Sequence, residues 1–504
     1  MTIPGISKSR FTDYLECPKL GYMSCHRERF KHLADPLDWM ALHLIGEGNR
    51  LGRMARDYFL GGRLIEHIWD LNKARAETAT AMRDETVTHL FEGAFASEGL
   101  LCRVDVLRKV DDGVVDLIEV KATNGVRSEH LPDVGFQLAV LEGAGLSVRS
   151  ASLMHFNPDY IHPGGDEYDL GSLFVIDDVT DRARVWVAEK REQHLETMRA
   201  DLAQADPPRV PLKYACRECV YYRQACAPGA PPHPVCELGG NHGSLLASLS
   251  AAGIEDLHDV PEDFPGLADG HRLVLEAVRT GELALDSESF RNLAEELVFP
   301  LWFLDFETYM PGRPIHAGMR PWQQIPFQWS LHVQGEDGSV RHSEFLKADG
   351  SDPRRAFAEA LASAMGETGS IVVYNKGMES TRLRELTRDL PDLADALLAL
   401  DVRIVDLLPI VRQSCYHLDF HGSRSLKAVT PVLAPHLSYE ELALKAGMQA
   451  MQAYEVISDP ATAEPQREEL RADLLTYCAL DTMAMVEVLK QLQTLSAQTR
   501  RDRL

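Results

Sequence analysis

The chain is 504 residues long with 45% hydrophobic and 25% charged residues, which predicts about two to four domains and excludes wholesale disorder, collagen-like repetition and coiled coil. No apolar run reaches the roughly 18 residues of a membrane span, and the opening MTIPGISKSRF has no apolar signal core, so the expectation is a soluble, cytoplasmic protein without a membrane partner. Lys plus Arg number 52 against 76 for Asp plus Glu, a net charge of -24, which argues against non-specific polyanion coating and leaves only local basic surfaces for nucleic acid.

In chain order, Ser7 is placed to N-cap a helix through Glu16, and residues 40–59 have helical spacing. From Leu90 to Glu119 the pattern changes to alternating strands, with a hairpin turn at Asp111-Asp112-Gly113. A helix near 129–142, a strand at 151–156 and a charged helix at 181–204 follow. The Pro/Gly-rich segment 227–240 supports neither helix nor strand and marks a boundary. Residues 244–295 predict a small helical connector. The apolar strand LVFPLWFLDFETYM comes next, with further strands near 327–333, 340–345 and 371–374 and a long last helix over 467–492. The expected class is mixed α/β, with domains at 1–228 and 297–504 and a linker and connector at 229–296.

Asp105 lies in one strand, and Glu119-x-Lys121 ends the next, where alternation sends Glu119 and Lys121 to one side. Two carboxylates beside a lysine suit Mg²⁺ or Mn²⁺ and phosphodiester hydrolysis. An exposed hairpin with ordinary salt-bridge residues would read the same way. Together with ISKSRFTDYLECPK, Gln137 on the following helix and the late cysteines, the segment from about residue 5 to 228 resembles the PD-(D/E)xK nucleases of the RecB type, particularly the CRISPR-adaptation nucleases with an iron-sulfur cluster. The resemblance implies a restriction-endonuclease-like fold in which Asp105 and Glu119 hold metal, Lys121 assists the water and Gln137 joins the site. Relatives often show Gln-x-x-x-Tyr, whereas Leu141 stands four after Gln137. Many members also supply an extra histidine ligand, and GEGNRLGRMAR has none, which leaves Glu47 or Glu92 as substitutes.

Nine cysteines are too sparse and clustered for a secreted disulfide framework. Cys216-x-x-Cys219 followed by Cys226 gives three thiolates within one short stretch, a donor set for zinc or an iron-sulfur cluster. The family likeness implies Cys17 as the fourth ligand of a 4Fe-4S cluster, while Cys236 or His233 could instead complete a local Zn²⁺ site. Cys25, Cys102, Cys415 and Cys478 sit singly among apolar neighbours and read as packing residues.

In the second half, Asp305 and Glu307 share one side of a strand end, Tyr477 and Asp481 share a helix face, and Glu379 follows the strand SIVVY where a helix begins. Four carboxylates brought together can hold two divalent ions, and without cations they repel one another. Their order resembles the three motifs of the DnaQ-like DEDD exonucleases, in the subclass with a tyrosine four before the last Asp, over about residues 298–494. The resemblance implies an RNase H-like, 3′–5′ exonuclease-type domain in which Asp305, Glu307, Glu379 and Asp481 hold metal and Tyr477 orients the attacking water. The family usually has Asp where Glu379 stands, and Asp406 is either a substitute ligand or a helix N-terminal acid.

The loop HGSRSLKAVTP offers Arg424 and Lys427 as phosphate contacts or a solvated basic face, and the basic and aromatic residues of the first 34 positions suit either single-strand binding or inward packing. The expected function is a divalent-metal-dependent nuclease with two metal centres, acting on DNA in preference to RNA by analogy, in repair or anti-phage defence. The competing readings are a non-catalytic nucleic-acid-binding or assembly protein with structural metal sites, and a zinc-stabilised adaptor without nucleic acid. Protein partners are not legible.

Overall fold

The computed structural model describes residues 5–67, 70–239 and 243–502. The chain is mixed α/β and divides into two compact units. The first comprises 1–211, 220–225 and 311–323, and the second 212–219, 226–310 and 324–504. Among the described residues no helix is long and apolar enough to cross a membrane.

The first unit is built on a seven-stranded sheet of β1 (Ile6–Ser7), β2 (Gly62–Leu64), β3 (His89–Ser97), β4 (Leu100–Asp111), β5 (Val114–Val120), β6 (Ser147–Phe156) and β7 (Phe174–Asp178). The strand order is β2-β3-β4-β5-β6-β7, with β1 pairing β4 in parallel. The β4–β5 hairpin turns at Asp112-Gly113, where Gly113 has φ 68, a conformation glycine adopts without a Cβ penalty. Helix α1 (Lys8–Glu16) starts where Ser7 Oγ accepts from Arg10 N–H at 3.4 Å, the cap expected from the sequence. It packs on α2 (Leu131–Gly143), whose apolar faces cover β3, β4 and β6. Phe11 and Phe136, both fully buried, meet at 5.1 Å between ring centroids. The expected elements at 40–59 and 181–204 appear as Trp39–Tyr58 and as a helix over Thr180–Leu202 that carries a π turn at Val187–Arg191.

In the second unit β8 (Ala284–Leu285) is followed by β9 (Leu301–Tyr309), β10 (Ile325–Gln334), β11 (Val340–Leu346), β12 (Ile371–Val373), β13 (Ile404–Asp406) and β14 (Cys415–Tyr416). The main sheet runs β11-β10-β9-β12-β13, antiparallel through the first three strands and parallel from β9 to β13, while β8 and β14 form a separate ribbon. Helix α3 (Gly377–Asp389) follows β12, and α4 (Leu426–Leu433) starts at the Ser425 cap. The last helix, α5 (Glu464–Asp502), crosses β9 and β10. Thr482 on α5 meets Ser330 Oγ at 2.8 Å and His332 Nδ1 at 2.8 Å, and Gln328 Nε2 donates to Leu474 O at 2.7 Å, so buried polar groups of β10 set the helix in one register. The helices of 243–294 add Leu249, Leu257, Val274 and Phe290 to the same core as Leu301, Phe303 and Leu489, so the segment expected as a connector packs into this unit.

Candidate metal centres

In the second unit, alternation along β9 puts Asp305 and Glu307 on one face, opposite Ser330 and Gln328 of β10. Helix α5 brings Cys478 and Asp481 to the same place, and donor atoms of Asp305, Glu307 and Cys478 lie within 4.8 Å of one another. Cys478, expected as a packing residue, is buried and its Sγ lies 3.6 Å from Asp305 Oδ2. Glu379, in the first turn of α3, is buried with Oε2 lacking any hydrogen-bond partner. Burial and then repulsion from Asp481 push the Asp305 carboxyl up. Burial, followed by Asp305 and Asp481, raises Glu307, and burial with Asp305 raises Glu379. Asp481 is raised by burial against the opposing pull of Lys427, Tyr439 and Tyr477. Four acids therefore converge with little cationic compensation, and Glu379 Oε2 has no hydrogen-bond partner. This donor set fits a hard divalent ion.

Around the acids, Lys427 Nζ donates to the Tyr477 hydroxyl, and Tyr477 in turn bonds Asp481. Tyr439 Oη donates to Asp481 Oδ1 at 2.6 Å. Sequence reading missed Tyr439, which lies in a polar turn with no periodicity to single it out, and it read Lys427 as a phosphate contact without its link to Tyr477. Asp406 accepts from Asn375 N at 2.9 Å, Lys376 N at 2.9 Å and Leu408 N at 3.0 Å. It caps the helix after β13 and ties down the loop after β12, which accounts for it as a helix-start acid. In that loop Asn375 has φ 84, a left-handed backbone uncommon outside glycine. Asp305 and Asp481 line a cavity of about 780 Å³ that Arg412, Arg424 and Lys427 also line. One compartment thus holds both acidic and basic side chains.

The first unit also gathers its expected residues. Asp105 Oδ2 accepts from Val120 N at 2.8 Å, and Lys121 lies 3.1 Å from Glu119 Oε1 while it also bonds Asp133. Gln137 Nε2 donates to Glu119 Oε2 at 2.6 Å. The unexpected member is Lys8, whose ammonium sits 2.6 Å from Glu119 Oε1. Burial opposes the Lys8 charge, but Glu119, Asp105 and Asp133 outweigh it and keep the group protonated. Burial would raise Glu119, yet Lys8 and Lys121 hold it well below the carboxylate range, while Asp105 is raised by burial and by Glu119. Both Glu119 oxygens are therefore taken by protein donors, and this set fits a divalent ion poorly. Of the two substitutes weighed for the missing histidine, Glu92 is the one whose charge reaches Asp105, from a left-handed position in β3 with φ 59, and Glu47 bonds Arg50.

Cys17 belongs to the first unit, and Cys216, Cys219 and Cys226 to the second. Cys216 lies within the turn Tyr214–Glu218 and Cys219 caps its C-terminal end, and Lys213 N donates to Cys216 Sγ at 3.3 Å. Among the described residues, the three thiols stand outside the groups whose ligand atoms approach within 4.8 Å, one being that of Asp305 and the other His233, Glu237 and His421. Cys236 is buried, with Cys216 among its neighbours, and its thiol is pushed up to about 11 mainly by burial.

Residues 302–425 match the model of a family described as a domain of unknown function (DUF2779), a span that takes in Asp305, Glu307, Glu379 and Arg424. No curated protein matches the chain.

Proposed function

We infer that the second unit is a divalent-metal-dependent nuclease centre of the DnaQ-like, RNase H-like kind, hydrolysing phosphodiester bonds. The observation that carries this reading is the convergence of four carboxylates, three of them buried and Asp305 partly so, two of which line a cavity shared with Arg412, Arg424 and Lys427. Asp305, Glu307, Glu379 and Asp481 would hold Mg²⁺ or Mn²⁺, which supplies charge stabilisation at the phosphoryl oxygens and lowers the pKa of a bound water. The residues of the chain perform the remaining tasks. Lys427 holds the Tyr477 hydroxyl, which burial and Asp481 keep protonated, so Tyr477 presents a fixed dipole at the edge of the acid cluster, placed to orient an attacking water. Tyr439 and Tyr477 both hold Asp481. Arg424 and Arg412, which line the same cavity, would balance phosphate charge.

DNA is the proposed substrate, by the likeness of the motifs alone. In the first unit, saturation of Glu119 by Lys8, Lys121 and Gln137 favours nucleic-acid binding without catalysis within a PD-(D/E)xK-type fold. For Cys216, Cys219 and Cys226, three thiols within one short stretch of the second unit, binding of zinc or an iron-sulfur cluster is retained as part of this proposal.

The test is cleavage of labelled single- and double-stranded DNA and RNA by the full chain with Mn²⁺ or EDTA. Asp305→Ala should lower the rate by about 10²-fold or more, the size of losing a key electrostatic group, while Lys121→Ala leaves it nearly unchanged. Metal-dependent cleavage insensitive to Asp305→Ala would refute the assignment.

A further inference from the structure

The second unit contains another convergence of ligand side chains, apart from the acid cluster. Glu237, in the turn Val235–Leu238, is buried, with a side chain only 3% exposed. His233 Nδ1 lies 3.2 Å from its Oε2, and His421 Nδ1 lies 3.1 Å from its Oε1. The two imidazoles stack with centroids 5.8 Å apart and planes 16° from parallel, and the three donor atoms lie within 4.8 Å of one another. A third imidazole, His258, has its centroid 5.6 Å from that of His233, and its Nδ1 is fixed by Asp256 Oδ1 at 2.9 Å.

We propose that His233, Glu237 and His421 form a Zn²⁺-class metal site that clamps the loop at 421–427. Ligand bonds of about 2.1 Å at the tetrahedral angle place neighbouring donor atoms about 3.4 Å apart. The observed separations of 3.1 and 3.2 Å come close to that spacing without rearrangement of the backbone. The donor chemistry selects the ion, since two imidazole nitrogens and one carboxylate suit zinc or a related transition metal and do not suit Mg²⁺ or Ca²⁺. Arg217, 2.8 Å from Oε1, already supplies the one cation a buried carboxylate requires. Two further imidazoles on the same carboxylate exceed that need. His258, held by Asp256, stands beside His233 but outside the group whose ligand atoms lie within 4.8 Å of one another. His421 is 54% exposed on its side chain, so an ion can enter and leave from solvent.

The site reaches the cavity through the backbone. His421 has φ 47, and Gly422 has φ 78 with its Cα so close to Glu237 that an added Cβ would stand 2.7 Å from Glu237 O. Three residues on, Ser425 caps α4, which carries Lys427 to Tyr477. Metal binding at Glu237 would hold the start of this loop in its left-handed conformation.

The test is metal content and affinity of the full chain, stripped with chelator and dialysed against Zn²⁺, with Co²⁺ as a spectroscopic probe. The variants are Glu237→Gln and, at the exposed ligand, His421→Asn, since asparagine tolerates the left-handed backbone. Cys216→Ser separates this site from any thiolate site. The expected result is one ion per chain that is lost, or bound at least about 100-fold more weakly, in both Glu237→Gln and His421→Asn and retained in Cys216→Ser. The Co²⁺ spectrum of that ion should lack thiolate charge-transfer absorption. Equal stoichiometry and affinity in wild type and in folded His421→Asn would overturn the proposal, whatever the outcome of the nuclease assay.

Discussion

Replacing Asp305 by Asn should stabilise the metal-free protein while abolishing its response to metal. Burial and Asp481 raise the Asp305 carboxyl from 3.8 to about 8. The folded state therefore keeps a proton that the unfolded chain releases above about pH 4. The resulting penalty is absent below that pH, grows through the interval and is full above about pH 8. A rise of about 4 units at 1.36 kcal/mol each sets a ceiling of about 5 kcal/mol, and because Asn is still a buried polar group, the expected net gain in EDTA at pH 8 is about 1–3 kcal/mol. That corresponds to about 2–4 °C of melting temperature per kcal/mol. In the wild type, Mn²⁺ at about 100 times its dissociation constant should restore about 2.7 kcal/mol, and Asp305→Asn should lose most of this gain. Thermal and urea unfolding of both proteins at pH 4.5 and pH 8, each with EDTA and with Mn²⁺, measures all the terms. If Asp305→Asn is less stable than wild type in EDTA at pH 8, or keeps the full Mn²⁺ shift, the picture of a self-repelling acid cluster awaiting cations is wrong.

Further outcomes follow from individual contacts. Asp116 is held down at about 2, because hydrogen bonds from Arg149, Ser150 and Arg108 outweigh the rise that burial alone would cause. Its contribution is present above the unfolded carboxylate pKa and lost as pH falls through about 2. Asp116→Asn should therefore cost about 1–2 kcal/mol at pH 7 in urea unfolding, an amount discounted for the half-exposed arginines, and nothing near pH 2. Lys8→Met removes one of two ammonium partners of a buried Glu119, so a loss of about 1–3 kcal/mol is expected, and Glu119→Gln on top of it should cost less than on the wild type. Thr482→Val deletes the hydroxyl shared by Ser330 and His332 between β10 and α5, with an expected cost of about 1–3 kcal/mol by thermal unfolding and faster hydrogen exchange along α5. Gly422→Ala places a Cβ 2.7 Å from Glu237 O at φ 78 and should cost more than about 1 kcal/mol, whereas Gly253→Ala, at φ 73 with open space around it, should cost less.

Much of the architecture is legible in the sequence because it rests on local signals. The Ser7 cap, the Asp112-Gly113 hairpin and the apolar run of β9 each announce an element within a few residues, and each stands where the pattern puts it. The same holds for pairs on one element, since strand and helix periods alone place Asp305 beside Glu307 and Tyr477 over Asp481. What periodicity cannot carry is contact across elements. Lys8 meets Glu119 across 111 positions, Tyr439 meets Asp481 across 42, and His421 meets Glu237 across 184.

These distant contacts also distinguish the two acidic sites. The Asp-x-Glu of β9 and the Glu-x-Lys of β5 look alike as sequence, each a pair of polar groups two apart at the end of an apolar strand. In the first unit the fold answers the acid with two ammonium groups and an amide, so Glu119 is a compensated buried anion. In the second the fold adds two more acids, and its nearest cation, Lys427, is engaged with Tyr477. Burying charge without a partner is costly, and a fold retains such an arrangement where a bound cation or a reaction needs it. The proposed divalent site is therefore assigned to Asp305, Glu307, Glu379 and Asp481, while Lys8 and Lys121 compensate Glu119 in the first unit.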